Sequence, residues 1–361
     1  MPPSTESARS PGVGRRSAIV ACGAPVTHHT SESLRGRPLQ DFTILDGLFD
    51  CTFIDTHTAM RSRLDRLVAS RFGDSWVIAY RAVLAARRAD VIIAMGDDVG
   101  VPITAMKALL WCRTPFVMIC WHMQSKRSRL FLGRLRLQWL VQLFLSQSSR
   151  QRDLIVRAYR VPPEKVRLLH ATVDHHYFTT AEAGAVRPLI SSAGMAARDY
   201  HTLIEATRGL DADVVIEAAS AWFSEPLNFS STDLHDRIEL SNVGTTTGLR
   251  DIYASSQIVV VPLQGVKHSA GDTTIVEGMA MGKPVVASAI PMLGDYITDG
   301  ESGFVVPVGD VAAMRSRLVQ LLDDPALRTS IGAAARRTVE ERFTLDHYRQ
   351  RVLDAVDHVT S

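Results

Sequence analysis

Residues 255–288, SSQIVVVPLQGVKHSAGDTTIVEGMAMGKPVVAS, confine the chain to a narrow set of folds. Ile258, Val259, Val260 and Val261 form an apolar, β-branched run ended by Pro262, as expected of a strand buried on both faces of a parallel sheet. Residues 264–272 are polar, carry two glycines and read as a loop. Thr273 or Asp272 is expected to cap a helix with Ile275, Val276, Met279 and Ala280 on its apolar face, stopped by Gly282 before Pro284. Val285, Val286 and Ala287 begin the next strand. A loop feeding a helix N-terminus after a parallel strand offers free N–H groups and the positive end of the helix dipole, a place for phosphate. Glu277, about one turn into the helix, can chelate two vicinal hydroxyls while the loop amides hold a diphosphate. That arrangement suits a nucleotide-sugar.

At these residues the chain resembles the family-4 glycosyltransferases of the two-domain GT-B type, whose usual form is a glutamate, seven residues, a second glutamate and then AMAxGxPVV. The second half stands here as EGMAMGKPVVAS. The loop before it reads as a GxTTxxE variant through Gly271, Asp272, Thr273, Thr274 and Glu277. Ser269 occupies the place of the first glutamate, and Asp272 is the nearest substitute for that carboxylate.

A chain of 361 residues can hold two domains, and 46 % hydrophobic with 22 % charged residues is a soluble globular composition. Net charge is only +2, yet residues 1–180 hold 25 Lys+Arg against 14 Asp+Glu, and residues 181–361 hold 15 against 24. The asymmetry suggests two units, the first facing an anionic partner such as a membrane surface or an acidic acceptor. Nucleic acid is not expected, because the basic residues fall in no recognisable binding motif. Cys22, Cys51, Cys112 and Cys120 form no CxxC pair and read as reduced thiols of a cytoplasmic protein. Residues 1–16 look like a disordered tail, and no apolar run reaches transmembrane length.

Alternating strands and helices run from 17–22 onward through 53–55, 91–94 and 116–122, the pattern of a parallel sheet covered on both faces. His28 and His29 follow the first strand. His122 ends the fourth, where open α/β sheets place ligand contacts. Between Lys126 and Arg152 there are seven basic residues and no acidic one, interleaved with Leu130, Phe131, Leu132, Leu135, Leu137, Trp139 and Leu140. This reads as a basic amphipathic helix, which either lies in a membrane interface or packs its apolar side on the sheet with its arginines in water.

The resemblance continues on both sides of the central stretch. VPPEKVRLLHATVDHHYF is similar to the family's interdomain signature, with Glu164, Lys165, Val166, Val173, Asp174 and Phe178 matching and Thr172 in place of a glycine. There Asp174 is expected to brace the hinge. GMAARDYHTLIEA resembles the family's GRLxxxKGxxxLxxA, Arg198 taking the lysine position. The implied fold is α/β, GT-B, two Rossmann-like parallel-sheet domains facing each other across a cleft: 17–180 on the acceptor side, 187–342 on the nucleotide-sugar side, and a helix at 343–361 crossing back to the first domain. The implied activity is retaining transfer of a hexose from a nucleotide-sugar to a glycan, lipid-linked or small-molecule acceptor, with no metal or other cofactor. Glu277 would hold the ribose. Arg198, Lys267, Ser269, Gly271, Asp272, Thr273 and Thr274 would hold the donor, cations near the diphosphate lowering the barrier to its departure, and His122 would face the sugar. By the bare residues, Arg198 could instead pair with Asp199 or Glu205 at the surface. The alternative to an enzyme is a degenerate GT-B protein that binds a nucleotide-sugar or serves as a partner subunit. The expected location is cytoplasmic, with peripheral contact to the inner membrane face through 126–152.

Overall fold

The computed structural model describes residues 15–26, 37–39, 41–180, 188–218, 229–230, 233–266 and 270–361. His28, His29, Lys267 and Ser269 lie outside them, as do most of the N-terminal segment and of the expected linker. The first unit runs β1 (Ser17–Ala21), α1 (Asp41–Leu48), β2 (Asp50–Ile54), α2 (Thr56–Ala59), α3 (Arg63–Phe72), α4 (Asp74–Ala85), β3 (Val91–Ala94), α5 (Asp97–Leu109), β4 (Phe116–Cys120), α6 (Lys126–Ser128), β5 (Leu143–Ser146), α7 (Ser149–Tyr159) and β6 (Val166–Leu168). The second runs β7 (Leu189–Ala193), α8 (Tyr200–Thr207), β8 (Asp213–Glu217), β9 (Ile238–Ser241), α9 (Thr246–Ser255), β10 (Ile258–Val261), α10 (Asp272–Ala280), β11 (Val285–Ser288), β12 (Phe304–Val306), α11 (Val311–Asp323), α12 (Pro325–Arg342) and α13 (Leu345–Thr360).

The strands form two six-stranded sheets, ordered β2-β1-β3-β4-β5-β6 and β12-β11-β10-β7-β8-β9, and every pairing within them is parallel. This is the α/β, GT-B arrangement of two Rossmann-like sheets. Each strand feeds two cores because its side chains alternate. In β4, Phe116, Met118 and Cys120 enter one cluster while Val117 and Ile119 enter another. In β10, Val259 and Val261 face one side and Ile258 and Val260 the other. Two-sided burial explains why these strands are apolar throughout.

In each sheet the chain order reverses once, between β1 and β3 in the first and between β7 and β10 in the second. Such switch points open a crevice at the carboxyl ends of the strands. The hinge between the units is tied by backbone and side chain. Val173 N donates to Phe343 O at 2.9 Å, and Asp174 accepts from Leu39 N through one carboxylate oxygen and from His176 and Tyr177 N through the other. The Tyr296 hydroxyl accepts from Ala171 N and donates to Gln147 O, both at 3.0 Å. Helix α13 places Tyr348, Val352, Ala355 and Val356 in the core of the first sheet, so the chain ends on the unit where it began.

Two local expectations differ from the structure. No side chain caps α10: its N-cap is Gly271, in left-handed backbone at φ +76°, and Asp272 is the first helical residue. A Cβ on Gly271 would lie 2.8 Å from Val261 Cγ1 and 3.1 Å from Leu263 Cδ2, so the close approach to β10 admits a side chain there only if its neighbours shift. Nor is the segment from Lys126 to Leu140 one helix. It is a turn of α6, a π-helical turn at Arg129–Arg134 and a 3-10 turn at Leu137–Leu140, separated by Arg136 in left-handed backbone. The periodicity of its charges is real, but the crossover from β4 to β5 must descend the sheet face in that length, and the left-handed residue breaks the helix.

Candidate functional site

The switch point of the second sheet is built by the turn after β7 and by the N-terminus of α10. Arg198 lies in the first of these. It is 6 % exposed, and its guanidinium donates to Ala193 O at 2.8 Å, Ala196 O at 2.9 Å and Thr274 Oγ1 at 3.0 Å. It therefore does not pair with Asp199 or Glu205: Asp199 caps α8 by accepting from Thr202 N, and Glu205 pairs with Arg208. Gly194, at φ +97°, leaves room for the guanidinium, since a Cβ there would stand 2.5 Å from its Nη2. A fixed cation beside a helix N-terminus is an anion site in the making.

Helix α10 carries the other groups. Thr274 is buried, Thr273 is exposed at the helix start, and Asp272 accepts from Thr273 N at 3.0 Å. Burial raises the Asp272 carboxyl above the usual range, while Thr273 N, Arg198 and, from the first unit, His122 pull it back. One turn on, the Glu277 carboxylate accepts from the Tyr253 hydroxyl at 3.3 Å. Burial pushes Glu277 up to about 8, against the lowering effect of the tyrosine hydrogen bond and Arg198. A carboxylate this poorly solvated gains strongly from additional hydroxyl donors.

Two acidic residues that the sequence did not single out complete the opposite wall. Asp97 accepts three successive backbone N–H groups, Trp121 and His122 through Oδ1 at 3.0 and 2.9 Å and Met123 through Oδ2 at 3.0 Å. It thereby fixes the loop that carries His122, which is exposed just past β4. Asp98 sits at the first sheet's own switch point, so close to Gly23 and Gly96 that a Cβ on either would fall within 2.3 Å of its carboxylate. Burial raises its carboxyl, Val99 N lowers it, Asp97 raises it further and His122 lowers it. His122 is near enough to lower the carboxyls of both Asp98 on its own unit and Asp272 on the other. The adjacent acids after an apolar strand, Gly96-Asp97-Asp98, were the available signal.

Glu217, 4 % exposed at the carboxyl end of β8, accepts from Val243 N at 3.0 Å through Oε2 and has no partner for Oε1 among the described residues. Among the described residues, no group of three or more His, Cys, Asp or Glu side chains is gathered as for a metal ion. Of the residues expected to hold a donor, the structure brings Arg198, from the turn after β7, against the start of α10, which carries Asp272, Thr273, Thr274 and Glu277 behind Gly271, and places His122 on the other unit within electrostatic reach of Asp272.

The glycosyl transferases group 1 family profile matches residues 201–324, which hold most of this site. That stretch is similar to the group 1 glycosyl transferases, and the fold of the whole chain is of the GT-B type. Among curated proteins it is 24 % identical over 239 residues to the D-inositol 3-phosphate glycosyltransferase of Streptomyces avermitilis, covering 58 % of this chain and 50 % of that one. The matched stretches span half or less of the length of these curated relatives. Solved structures match this chain along almost its whole length. Sucrose-phosphate synthase from Thermosynechococcus elongatus superposes with a TM-score of 0.72 at 14 % identity, covering 95 % of this chain and 99 % of that one. Anabaena HepE in complex with UDP superposes with a TM-score of 0.71 at 15 % identity, covering 95 % and 100 %.

Proposed function

We propose that the protein is a glycosyltransferase that takes a hexose from a nucleotide-sugar and transfers it, with retention of anomeric configuration, to a hydroxyl of a glycan, lipid-linked or small-molecule acceptor. The observation that carries this is the pairing of buried Arg198 with Thr274 at the N-terminus of α10, directly at the sheet's switch point. In this reading the amides of Asp272, Thr273 and Thr274 at the start of α10, with Arg198, hold the diphosphate, Thr273 N exchanging the Asp272 carboxylate for it, and Glu277 accepts the ribose hydroxyls. The bond from the anomeric carbon to the diphosphate oxygen breaks, the acceptor oxygen bonds to that carbon on the same face, and the acceptor's proton passes to the departing diphosphate. Arg198 and the helix dipole stabilise the charge that builds on the leaving group, where fixed dipoles act most strongly. His122 faces the sugar, and Asp97 holds it there. In this reading Asp272 takes the part of the missing first glutamate toward the sugar hydroxyls.

The reading is tested by titrating the purified protein with UDP-, GDP- and ADP-sugars and following the melting temperature, since a ligand that binds only the folded state must raise it. A rise with one nucleotide class that is lost in Glu277→Ala is expected, followed by proton NMR of the product to read its anomeric configuration. A well-folded protein that responds to none of them, and hydrolyses none, would sink the proposal and leave a GT-B scaffold without a donor.

A further inference from the structure

Outside the cleft, the first unit carries a surface that glycosyl transfer does not use. Trp111 is 89 % exposed, Leu109 67 %, Trp139 65 % and Phe72 60 %, which are high values for side chains of this size. They come from three separate segments. Leu109 ends α5 and Trp111 lies two residues beyond it, Trp139 lies in the 3-10 turn of the crossover from β4 to β5, and Phe72 ends α3. The segments are neighbours. The crossover packs along α5, Arg127 Nη2 donates to Phe72 O at 3.2 Å, and the rings of Trp76 and Phe131 meet edge to face at 5.5 Å beneath. Trp111 also holds left-handed backbone, at φ +52°, a conformation that bulky residues avoid.

Charge decides what this surface fits. Between Asp98 and Asp153 the chain has nine basic residues and no acidic one. Arg113, Lys126, Arg127, Arg129, Arg134 and Arg136 are all exposed. Exposed tryptophan and leucine set among arginines, with acids absent, match the headgroup region of a bilayer, where indole rings seat at the interface and guanidinium groups meet lipid phosphates. A protein partner would be expected to find a mixed-sign rim for polar pairing.

We propose that the first unit docks on an anionic lipid surface through this face, with Trp111 and Trp139 entering the interface and the crossover arginines contacting lipid phosphates. Trp111 and Trp139 precede the amino ends of β4 and β5, so the docking face lies at the end of the sheet away from His122. The docking does not depend on the glycosyl-transfer reading.

The test is sedimentation of the full chain with vesicles of phosphatidylcholine alone and of phosphatidylcholine mixed with phosphatidylglycerol, across a range of salt. Binding to the anionic vesicles only, weakening with salt, is expected, with a blue shift of tryptophan emission. Two double variants probe the parts: Trp111→Asn with Trp139→Ser, asparagine being the side chain that best tolerates left-handed backbone, and Arg129→Glu with Arg134→Glu. Each should lower the partition coefficient at least about tenfold, near fivefold per arginine removed, without changing the melting temperature. Absence of binding to anionic vesicles, or equal binding by the variants, overturns the proposal. So does a dimer in solution that the tryptophan variant converts to a monomer while vesicles are ignored, which would make this face a contact between copies. Nucleotide binding measured on the same samples separates the two readings: vesicle binding without nucleotide binding overturns the enzyme and leaves the docking surface standing.

Discussion

The guanidinium of Arg198 donates to Thr274 Oγ1 at 3.0 Å, joining the turn after β7 to the first turn of α10 across 76 residues of sequence. The same guanidinium closes the turn it sits in by reaching Ala193 O and Ala196 O. One side chain therefore shapes the switch-point crevice and supplies its positive charge.

Arg198→Ala should lower affinity for a nucleoside diphosphate by about 10- to 100-fold, the worth of one or two charge-assisted hydrogen bonds. It also strands two carbonyls and a buried hydroxyl, for a loss of roughly 1–3 kcal/mol in stability. Arg198→Lys should recover little, because an ammonium cannot span the three acceptors in one plane. Calorimetry with UDP and GDP, beside urea unfolding, reads both quantities; an unchanged affinity in Arg198→Ala would remove Arg198 from the donor site.

Glu277 gives a pH signature. Its carboxyl is raised from 4.5 to about 8 by burial, so the folded state holds the proton more tightly than the unfolded chain. Stability contributed by the neutral form is complete below pH 4.5 and is lost as pH rises through 8. Glu277→Gln escapes this loss. It should match the wild type near pH 4.5 and exceed it at pH 8 by on the order of a few kcal/mol, while binding nucleotide more weakly. Parallel stability curves for the two proteins over that range would contradict the assignment.

His170 predicts a dependence of the opposite form at the hinge. Both ring nitrogens are buried without a hydrogen-bond partner among the described residues, and the ring meets Tyr296 and Phe343 edge to face, each at 5.6 Å. Burial, reinforced by Arg351, pushes its pKa down from 6.5 to about 4, while Asp295 opposes this and Arg342 adds to it. The unfolded chain takes up the proton first, so stability present above pH 6.5 is lost as pH falls toward 4. His170→Phe should hold its stability through that window, a difference of about 3 kcal/mol at pH 4. Equilibrium denaturation of both proteins at matched pH tests it, and identical acid sensitivity would refute it.

Gly271→Ala places a Cβ 2.8 Å from Val261 Cγ1 in backbone at φ +76°. Strain of roughly 1–3 kcal/mol is expected, relieved by shifting the start of α10. Nucleotide affinity should fall with stability, whereas Gly265→Ala, whose Cβ would meet nothing closer than Val308 Cγ1 at 4.0 Å, should alter neither.

Asp97→Ala removes the acceptor of three backbone donors and should destabilise by about 2–5 kcal/mol. Asp97→Asn keeps one acceptor oxygen and should fold, with a disturbed 121–123 loop. If His122 faces the sugar, the asparagine variant should lower kcat more than it raises KM for the donor. A loss confined to KM would point to a structural role alone.

What the sequence determined is the part of the fold that local pattern encodes. Runs such as Val91–Ala94 and Ile258–Val261 are apolar at every position because both faces of the sheet are covered, and that requirement is visible without any partner. The helix bearing Glu277 is legible in the same way, from its motif and its apolar face. Tertiary structure decided the rest. Asp97 reaches the His122 loop 25 residues away, Arg198 reaches Thr274, and α13 packs on the first sheet from the far end of the chain. No periodicity records contacts between residues so distant in sequence. The segment after β4 shows the reverse limit: its charge pattern suits a helix, but a crossover of fixed length, with Arg136 in left-handed backbone, breaks it into turns and leaves Trp139 facing outward. Local spacing specifies which face of an element is buried, and only the packed chain specifies what lies against it.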